Sequence, residues 1–194
     1  MKKTIMSLAV ASVLLSGSAM ATPAANDASQ ATLNFTGRVT SSLCQVDTNS
    51  VVQDIALGEV SSSALKATGV APAKSFSVSL VNCDTEIDNI VYNIADANSN
   101  GAATAEYLQP YSADDSAKGV GVFIQTSDHK DVTIGQDKEV SVVKDKDDKA
   151  LSNQTISLTA FIGTTNKQPD NSNSVTPGSV SAKGVMTIKA ASAG

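Results

Sequence analysis

The sequence has little of what enzymes and nucleic-acid-binding proteins depend on. Its 194 residues include one histidine, His129, one arginine, Arg38, and no tryptophan. The histidine lies in TSDHKD, which has the composition of an exposed turn, and no nucleophile-elbow pattern supplies a serine to act with it. The formal net charge is -5, and the basic residues are scattered along the chain. This composition disfavours both a catalytic triad and a nucleic-acid partner.

Metal-binding patterns are equally scarce. The stretch DANSNGAATAEY, residues 96–107, begins like a calcium-binding loop with Asp96 and Asn98. Its twelfth position, where such a loop needs a bidentate glutamate, is Tyr107. A zinc site is disfavoured because the cysteines are far apart in the sequence and there is only one histidine. We therefore predict no metal, no cofactor and no catalytic residue.

The only long apolar run lies at the N-terminus. Two lysines precede the run Ile5–Leu15, and Ala19 and Ala21 supply the small-x-small pattern of a signal peptidase site. The run is too short to span a bilayer, so residues 1–21 are predicted to be a cleaved signal peptide. Loss of its two lysines changes the net charge from -5 to -7. The remaining chain is expected to be soluble and exported.

Two cysteines, Cys44 and Cys83, follow the predicted signal peptide. An even number in an exported chain favours one disulfide, because the compartments outside the cytoplasm are oxidising. The bond would close a loop of roughly forty residues, for which the chain-entropy model gives a stabilisation on the order of 4 kcal/mol. Two buried free thiols are the alternative interpretation.

Short segments of alternating apolar and polar residues make up most of the chain. Phe76, Val78 and Leu80 alternate with three serines, which is typical of a strand with one buried face. Only SSSALKA, Ser61–Ala67, indicates a helix, of one or two turns. The pattern predicts one all-β domain, an antiparallel sandwich with turns such as NSNG between its strands. Further strands are predicted at Val51–Leu57, Ile90–Ile94, Val120–Ile124, Val140–Val143, Ile156–Ile162 and Val180–Ala190.

Four segments form a more specific combination. They are LNFTGRVTSSLCQVD, in which Phe35, Gly37 and Val39 precede Cys44; LVNCDT, which contains Cys83; TISLTAFIGTT; and TPGSVSAKGVMTIKA. In this order and at this spacing, they resemble the chaperone-usher fimbrial subunits, in particular the type 1 major pilins of Gram-negative bacteria. The resemblance covers almost the whole chain after residue 21.

The resemblance implies an all-β fold, an incomplete immunoglobulin-like sandwich of six strands that lacks its last strand and has an open apolar groove. In this family a periplasmic chaperone lends a strand to the groove. The outer-membrane usher then exchanges that strand for the N-terminal extension of the next subunit, which is a form of β-augmentation. We accordingly predict a disordered donor-strand extension at residues 22–33 and a pilin domain at residues 34–194.

The same resemblance implies roles for individual residues. Ser29, Ala31 and Leu33 are predicted to face the groove of a neighbouring subunit, whereas Phe35 is expected in the subunit's own core. The edge of the groove, which also binds the chaperone, is predicted to be formed by Val180, Ala182, Met186 and Ile188.

The predicted function is that of a structural subunit of a surface fimbrium that polymerises by donor-strand exchange and supports adhesion. Its partners are expected to be copies of itself, a periplasmic chaperone and an outer-membrane usher, with a host-surface receptor as a further candidate. Export is expected to pass through the periplasm to the cell surface. The alternative is a minor or tip fimbrial subunit that binds a host glycan or protein. A two-domain tip adhesin is disfavoured because roughly 173 of the 194 residues remain after the signal peptide.

Overall fold

The chain divides into two units, Met1–Val39 and Thr40–Gly194. The computed structural model describes residues 32–33, 44–99, 105–170 and 174–192. In the first unit the described residues are Thr32 and Leu33, and both are exposed. The predicted signal peptide and most of the predicted donor-strand extension lie outside the described residues.

Strands form most of the described part of the second unit. It contains seven strands, one α-helix and a 3-10 turn at Thr48–Ser50. Among the described residues, no helix has the length and hydropathy required to cross a membrane. The helix is α1 (Ser62–Thr68), and the strands are β1 (Gln45–Val46), β2 (Lys74–Val81), β3 (Ile87–Asp96), β4 (Val120–Thr126), β5 (Asp137–Ser141), β6 (Gln154–Thr164) and β7 (Gly184–Ser192).

The strands form two antiparallel sheets that pack face to face. The first sheet has the strand order β1-β2-β6-β4, and the second has the order β5-β3-β7. The apolar side chains of each alternating strand face the other sheet, so Val78 and Leu80 are buried while Ser75 and Ser77 are exposed. The most deeply buried residues of this shared core are Tyr92, Leu80, Ile87, Ile90, Leu158 and Val132. The predicted all-β fold class is confirmed.

The core also buries one phenol. Tyr92 has no exposed surface, and its hydroxyl has no hydrogen-bond partner among the described residues. Burial, together with the charge of Asp128, raises the pKa of Tyr92 to about 12. The side chain therefore stays neutral in the centre of the sandwich.

The described residues contain seven strands, of which β1 has two residues. The predicted strand at Val140–Val143 overlaps the short β5, which pairs with one edge of β3 and places Val140 opposite Ile90. The predicted strands at Ile90–Ile94, Val120–Ile124 and Ile156–Ile162 lie within β3, β4 and β6.

The predicted helix is confirmed as α1. It begins after Ser61, whose Oγ accepts a hydrogen bond from the Ala64 N–H at 3.1 Å. It ends at Gly69, which has a φ of 80° and donates its N–H to the Leu65 carbonyl at 2.7 Å. A β-carbon at Gly69 would lie 2.6 Å from the carbonyl carbon of Gln168, so the position requires glycine.

The predicted strand at Val51–Leu57 is wrong. These residues form bends and irregular chain. Among the described residues, no backbone hydrogen bond joins this segment to another part of the protein. An alternating apolar segment becomes a strand only where a neighbour accepts and donates its backbone hydrogen bonds, and here the neighbour is missing.

The last predicted strand has different bounds. It begins at Gly184 instead of Val180 and continues to Ser192. The chain before Gly184 bonds to a loop instead of a strand, because the Ser179 and Ser181 carbonyls accept hydrogen bonds from Ala117 at 2.9 Å and Tyr111 at 2.6 Å.

Candidate functional site

A long groove lies between the two sheets along the side where β7 has no neighbouring strand. Its walls are the irregular segment 50–62 and the segment 175–188, which contains the first half of β7. The groove has a volume of about 1570 Å³. Typical pockets for small molecules measure roughly 300–1,000 Å³, so this groove has room for a larger occupant such as a peptide segment.

The floor of the groove is the apolar core itself. Both sheets contribute to it, because the inward-facing residues of β2, β3, β4 and β6 reach it: Phe76, Val78, Ile94, Val122, Ile124, Ala160 and Ile162. Six of these seven side chains are buried, with exposed fractions of 8% or less, and Phe76 is half-buried. An apolar occupant of the groove would add further contacts to this core.

One wall of the groove carries the four edge residues that the resemblance predicted. Val180, Ala182, Met186 and Ile188 all line the groove and are half-buried. The residues that alternate with them are more exposed: Ser181, Lys183 and Val185 also border the groove, whereas Thr187 and Lys189 do not. The structure thus brings the predicted edge residues together on one face.

The backbone of β7 also faces the groove. Met186 pairs with Ile94 of β3, and the Ile94 carbonyl accepts a hydrogen bond from Gly135, on the β5 side of β3, at 2.8 Å. In an antiparallel pair the N–H and C=O of one residue point the same way, so the backbone groups of both Met186 and Ile94 point away from each other. Ile188, two residues further along, has the same orientation. Within the described residues β7 is an edge strand, and these groups are open to a further strand.

The other wall is an apolar segment with an open backbone. Val51 is 65% exposed and Val52 is 81% exposed, which is unusual for two consecutive valines. Side chains tether this wall to β2, because Gln53 Nε2 donates to the Ser77 carbonyl at 2.8 Å and Ser50 Oγ accepts from the Ser79 N–H at 3.1 Å. A strand placed in the groove would therefore find backbone groups on both sides.

The helix α1 closes one end of the groove. Leu65 of α1 is 3% exposed and packs with Val120, Ile162 and Val175. The carbonyl of Gly69, just after the helix, accepts the Thr164 N–H of β6 at 2.8 Å, which holds α1 against the first sheet. Sequence reasoning identified this helix but did not assign it to the groove.

The predicted disulfide is present between Cys44 and Cys83. It joins the start of the described domain to the chain just after β2. The Cys83 N–H donates to the Ser152 carbonyl at 2.9 Å, and Asn82 Nδ2 donates to Gln45 Oε1 at 3.1 Å. These contacts hold the first residues of the described domain against the chain after β2.

The stretches that were considered for chemistry have structural roles. His129 lies in an exposed turn after β4, with a φ of 61°. Both carboxylate oxygens of Asp96 accept backbone N–H groups, from Asn98 and from Gln109, each at 2.8 Å. Among the described residues, no three side chains of the metal-binding types form a cluster. Asn100 and residues 101–104 lie outside the described part of the chain.

Comparisons with known proteins agree with this geometry. The family model described as "Fimbrial protein" matches residues 33–190. The chain is 54% identical to fimbrial protein 987P of Escherichia coli over 191 residues, which cover 98% of this chain and 97% of that protein.

Two solved structures have the same fold. A chaperone-usher pilus structure superposes with a TM-score of 0.61 at 22% identity and covers 84% of this chain and 96% of that one. The rod subunit PapA of the P pilus superposes with a TM-score of 0.59 at 19% identity and covers 77% of this chain and 99% of that one.

Proposed function

Since the chain belongs to the fimbrial protein family, we propose that it is the repeated structural subunit of a surface fimbrium and polymerises by donor-strand exchange. Members of this family are structural components of surface fimbriae, and the chain is not an enzyme. The observation that carries the proposal is the groove of about 1570 Å³, which combines an apolar floor with the unpaired backbone edge of β7. A segment that binds there gains both ladder hydrogen bonds and apolar burial.

The proposed occupant in the fimbrium is the N-terminal segment of a neighbouring copy. Its alternating residues Ser29, Ala31 and Leu33 carry little bulk for a groove of this volume. The alternation continues through Phe35 to Val39, and the chain divides after Val39. We therefore extend the proposed donor segment from residue 33 to residue 39, and Phe35 is proposed to fill the neighbour's groove instead of the core of its own subunit.

Before assembly, a periplasmic chaperone is proposed to occupy the same groove. A domain with its core open along one side is expected to be unstable and prone to association, because exposed apolar surface and open strand edges are aggregation hazards. The outer-membrane usher then exchanges the chaperone's strand for the donor segment. Because each copy offers a segment at one place and a groove at another, the contact is heterologous and produces an open filament.

The donor assignment is tested by substitutions on the two faces of the segment. We expect Leu33→Asp with Phe35→Asp to leave capture by the chaperone intact and to abolish filaments, because two carboxylates would enter an apolar groove. The matched control is Thr32→Asp with Asn34→Asp, which places the same charges on the other face and should retain filaments. Filaments from the first variant would refute the donor segment. A lower chaperone-bound yield of the first variant would show that Phe35 belongs to the core of its own subunit.

The position in the fimbrium is tested by electron microscopy of cells that express the chain with a chaperone and an usher. Antibody label along the whole filament is the expected result for a repeated subunit. Label confined to filament tips would replace this proposal with the tip-subunit alternative, in which the protein binds a host glycan or protein.

A further inference from the structure

An exposed apolar pair lies on a hairpin that is connected to Cys44 through the Cys83 disulfide. Val143 is 58% exposed and Leu151 is 42% exposed. The two residues flank a hairpin in which Lys144 pairs with Ala150 in antiparallel fashion. The Leu151 N–H donates to the Val143 carbonyl at 2.9 Å. Ala150 is buried, so Val143 and Leu151, which are the next pair along, share the opposite face and point away from the core. We call this hairpin, residues 143–151, the root hairpin.

The root hairpin is held firmly, so its apolar pair is presented in a fixed place. The amide of Gln154, which is 4% exposed, accepts the Val143 N–H at 2.8 Å and donates to the carbonyls of Val143 at 2.9 Å and Leu151 at 2.8 Å. Two ion pairs connect the hairpin to β3 and to the residue before it. Lys144 pairs with Asp88 of β3 at 2.7 Å, and Lys149 pairs with Glu86, just before β3, at 2.5 Å.

A hydrogen bond and the disulfide link the root hairpin to Cys44, the residue at which the described domain begins. Leu151 precedes Ser152, whose carbonyl accepts the Cys83 N–H at 2.9 Å, and Cys83 is bonded to Cys44. The five residues from Val39 to Cys44 span at most about 18 Å when fully extended. When residues up to Val39 lie in the groove of a neighbour, the mouth of that groove must therefore lie within this distance of Cys44.

We propose that Val143 and Leu151 form a second contact with the subunit that receives the donor segment, packing against the mouth of its groove. The proposal rests on the proposed function, because a neighbour is brought to this place only by donor-strand insertion. The contact would set the angle between successive subunits and slow their separation. The pair contacts a second copy of this chain, at the end of that copy's groove from which the inserted donor segment emerges.

The test compares filaments of wild type with filaments of the double variant Val143→Thr, Leu151→Asn. Both replacements preserve the size of the side chain, both positions are exposed, and the backbone bonds of the hairpin are unaffected. We expect the variant filaments to dissociate on the order of tenfold faster in a fixed concentration of guanidinium chloride, which corresponds to about 1.4 kcal/mol. The matched control is Lys146→Ser at the tip of the same hairpin, where the side chain is 86% exposed, and it should dissociate at the wild-type rate.

A second arm separates this proposal from the proposed function. A synthetic peptide of residues 22–39 carries the donor segment without the root hairpin, and it should displace the chaperone equally well from wild-type and double-variant subunits. If the peptide displaces the chaperone while the double-variant filaments dissociate at the wild-type rate, the second contact is refuted. If the peptide displaces nothing, the donor-strand proposal itself fails, and the root hairpin loses its partner with it.

Discussion

Met186 lies directly opposite Ile94 in the register of β7 on β3, and the Ile94 carbonyl accepts its hydrogen bond from Gly135 on the other side of β3. The backbone groups of Met186 therefore point into the groove. Its side chain lines the same groove, close to the core residues of both sheets. One residue thus offers both interactions that a bound strand uses, backbone pairing and apolar contact.

Proline substitution distinguishes the two sides of β7. Met186→Pro removes an N–H that faces the groove, so we expect a folded subunit whose filaments dissociate on the order of tenfold faster after the loss of one ladder bond. Thr187→Pro removes an N–H that faces β3, and we expect it to prevent recovery of folded subunit. Dissociation rate and yield of soluble subunit are the measurements. Equal loss of folded protein at both positions would contradict the orientation of β7.

A bulky side chain on the groove wall should block the groove. Ala182 lines the groove and is half-buried, whereas Thr187 is exposed and does not line the groove. We expect Ala182→Phe to prevent both chaperone capture and filament formation, because the ring occupies space that an inserted strand needs. Thr187→Phe is the matched control and should assemble. Co-purification with the chaperone is the measurement, and normal capture of Ala182→Phe would show that strands bind elsewhere.

Loss of the disulfide should lower the stability of the domain. The bond between Cys44 and Cys83 closes a loop with a sequence separation of 39 residues. The chain-entropy model gives such a loop a stabilisation on the order of 4 kcal/mol. We expect Cys44→Ser to reduce the yield of chaperone-bound subunit strongly, and Cys83→Ser to match it. An unchanged yield would show that the bond is dispensable.

The side-chain amide of Gln154, at the start of β6, is expected to contribute strongly to the stability of the domain. It makes three hydrogen bonds to the backbone of Val143 and Leu151 and is buried. We expect Gln154→Leu to lower the free energy of unfolding by about 3 kcal/mol, because each lost bond contributes about 1 kcal/mol and the freed groups stay unpaired. Denaturant unfolding of the subunit bound to the peptide of residues 22–39 measures this. The exposed neighbour provides the control, since Asn153→Leu should change stability by less than about 0.5 kcal/mol.

Local patterns in the sequence predict much of the fold, but they predict the groove only in part. Period-two alternation located β2, β3, β4 and β6, and the serines before Leu65 located α1, because these signals depend on neighbours within the same chain. Alternation also predicted a strand at Val51–Leu57, where the structure has irregular chain. The apolar pattern there is real, but a strand needs a partner, and under the proposed function that partner belongs to another molecule.

The four edge residues of the groove were predicted by the resemblance to a family, and no pattern within the chain would have identified a missing strand. Sequence reasoning also missed the role of α1 at the end of the groove and the exposed pair of the root hairpin. Both depend on tertiary contacts, those of Leu65 with Val175 and of Gln154 with the hairpin. Contacts between residues far apart in the chain leave no local signal in a single sequence.

Amide hydrogen exchange in assembled filaments tests the central claim most directly. The amides of Val185 and Thr187 face β3, and those of Met186 and Ile188 face the groove. If a neighbour's segment is inserted beside β7, all four amides should exchange slowly, with protection at Met186 and Ile188 matching that at Thr187. Fast exchange at Met186 and Ile188 beside slow exchange at Val185 and Thr187 would show that the edge stays open in the filament, and donor-strand exchange at this groove would be refuted.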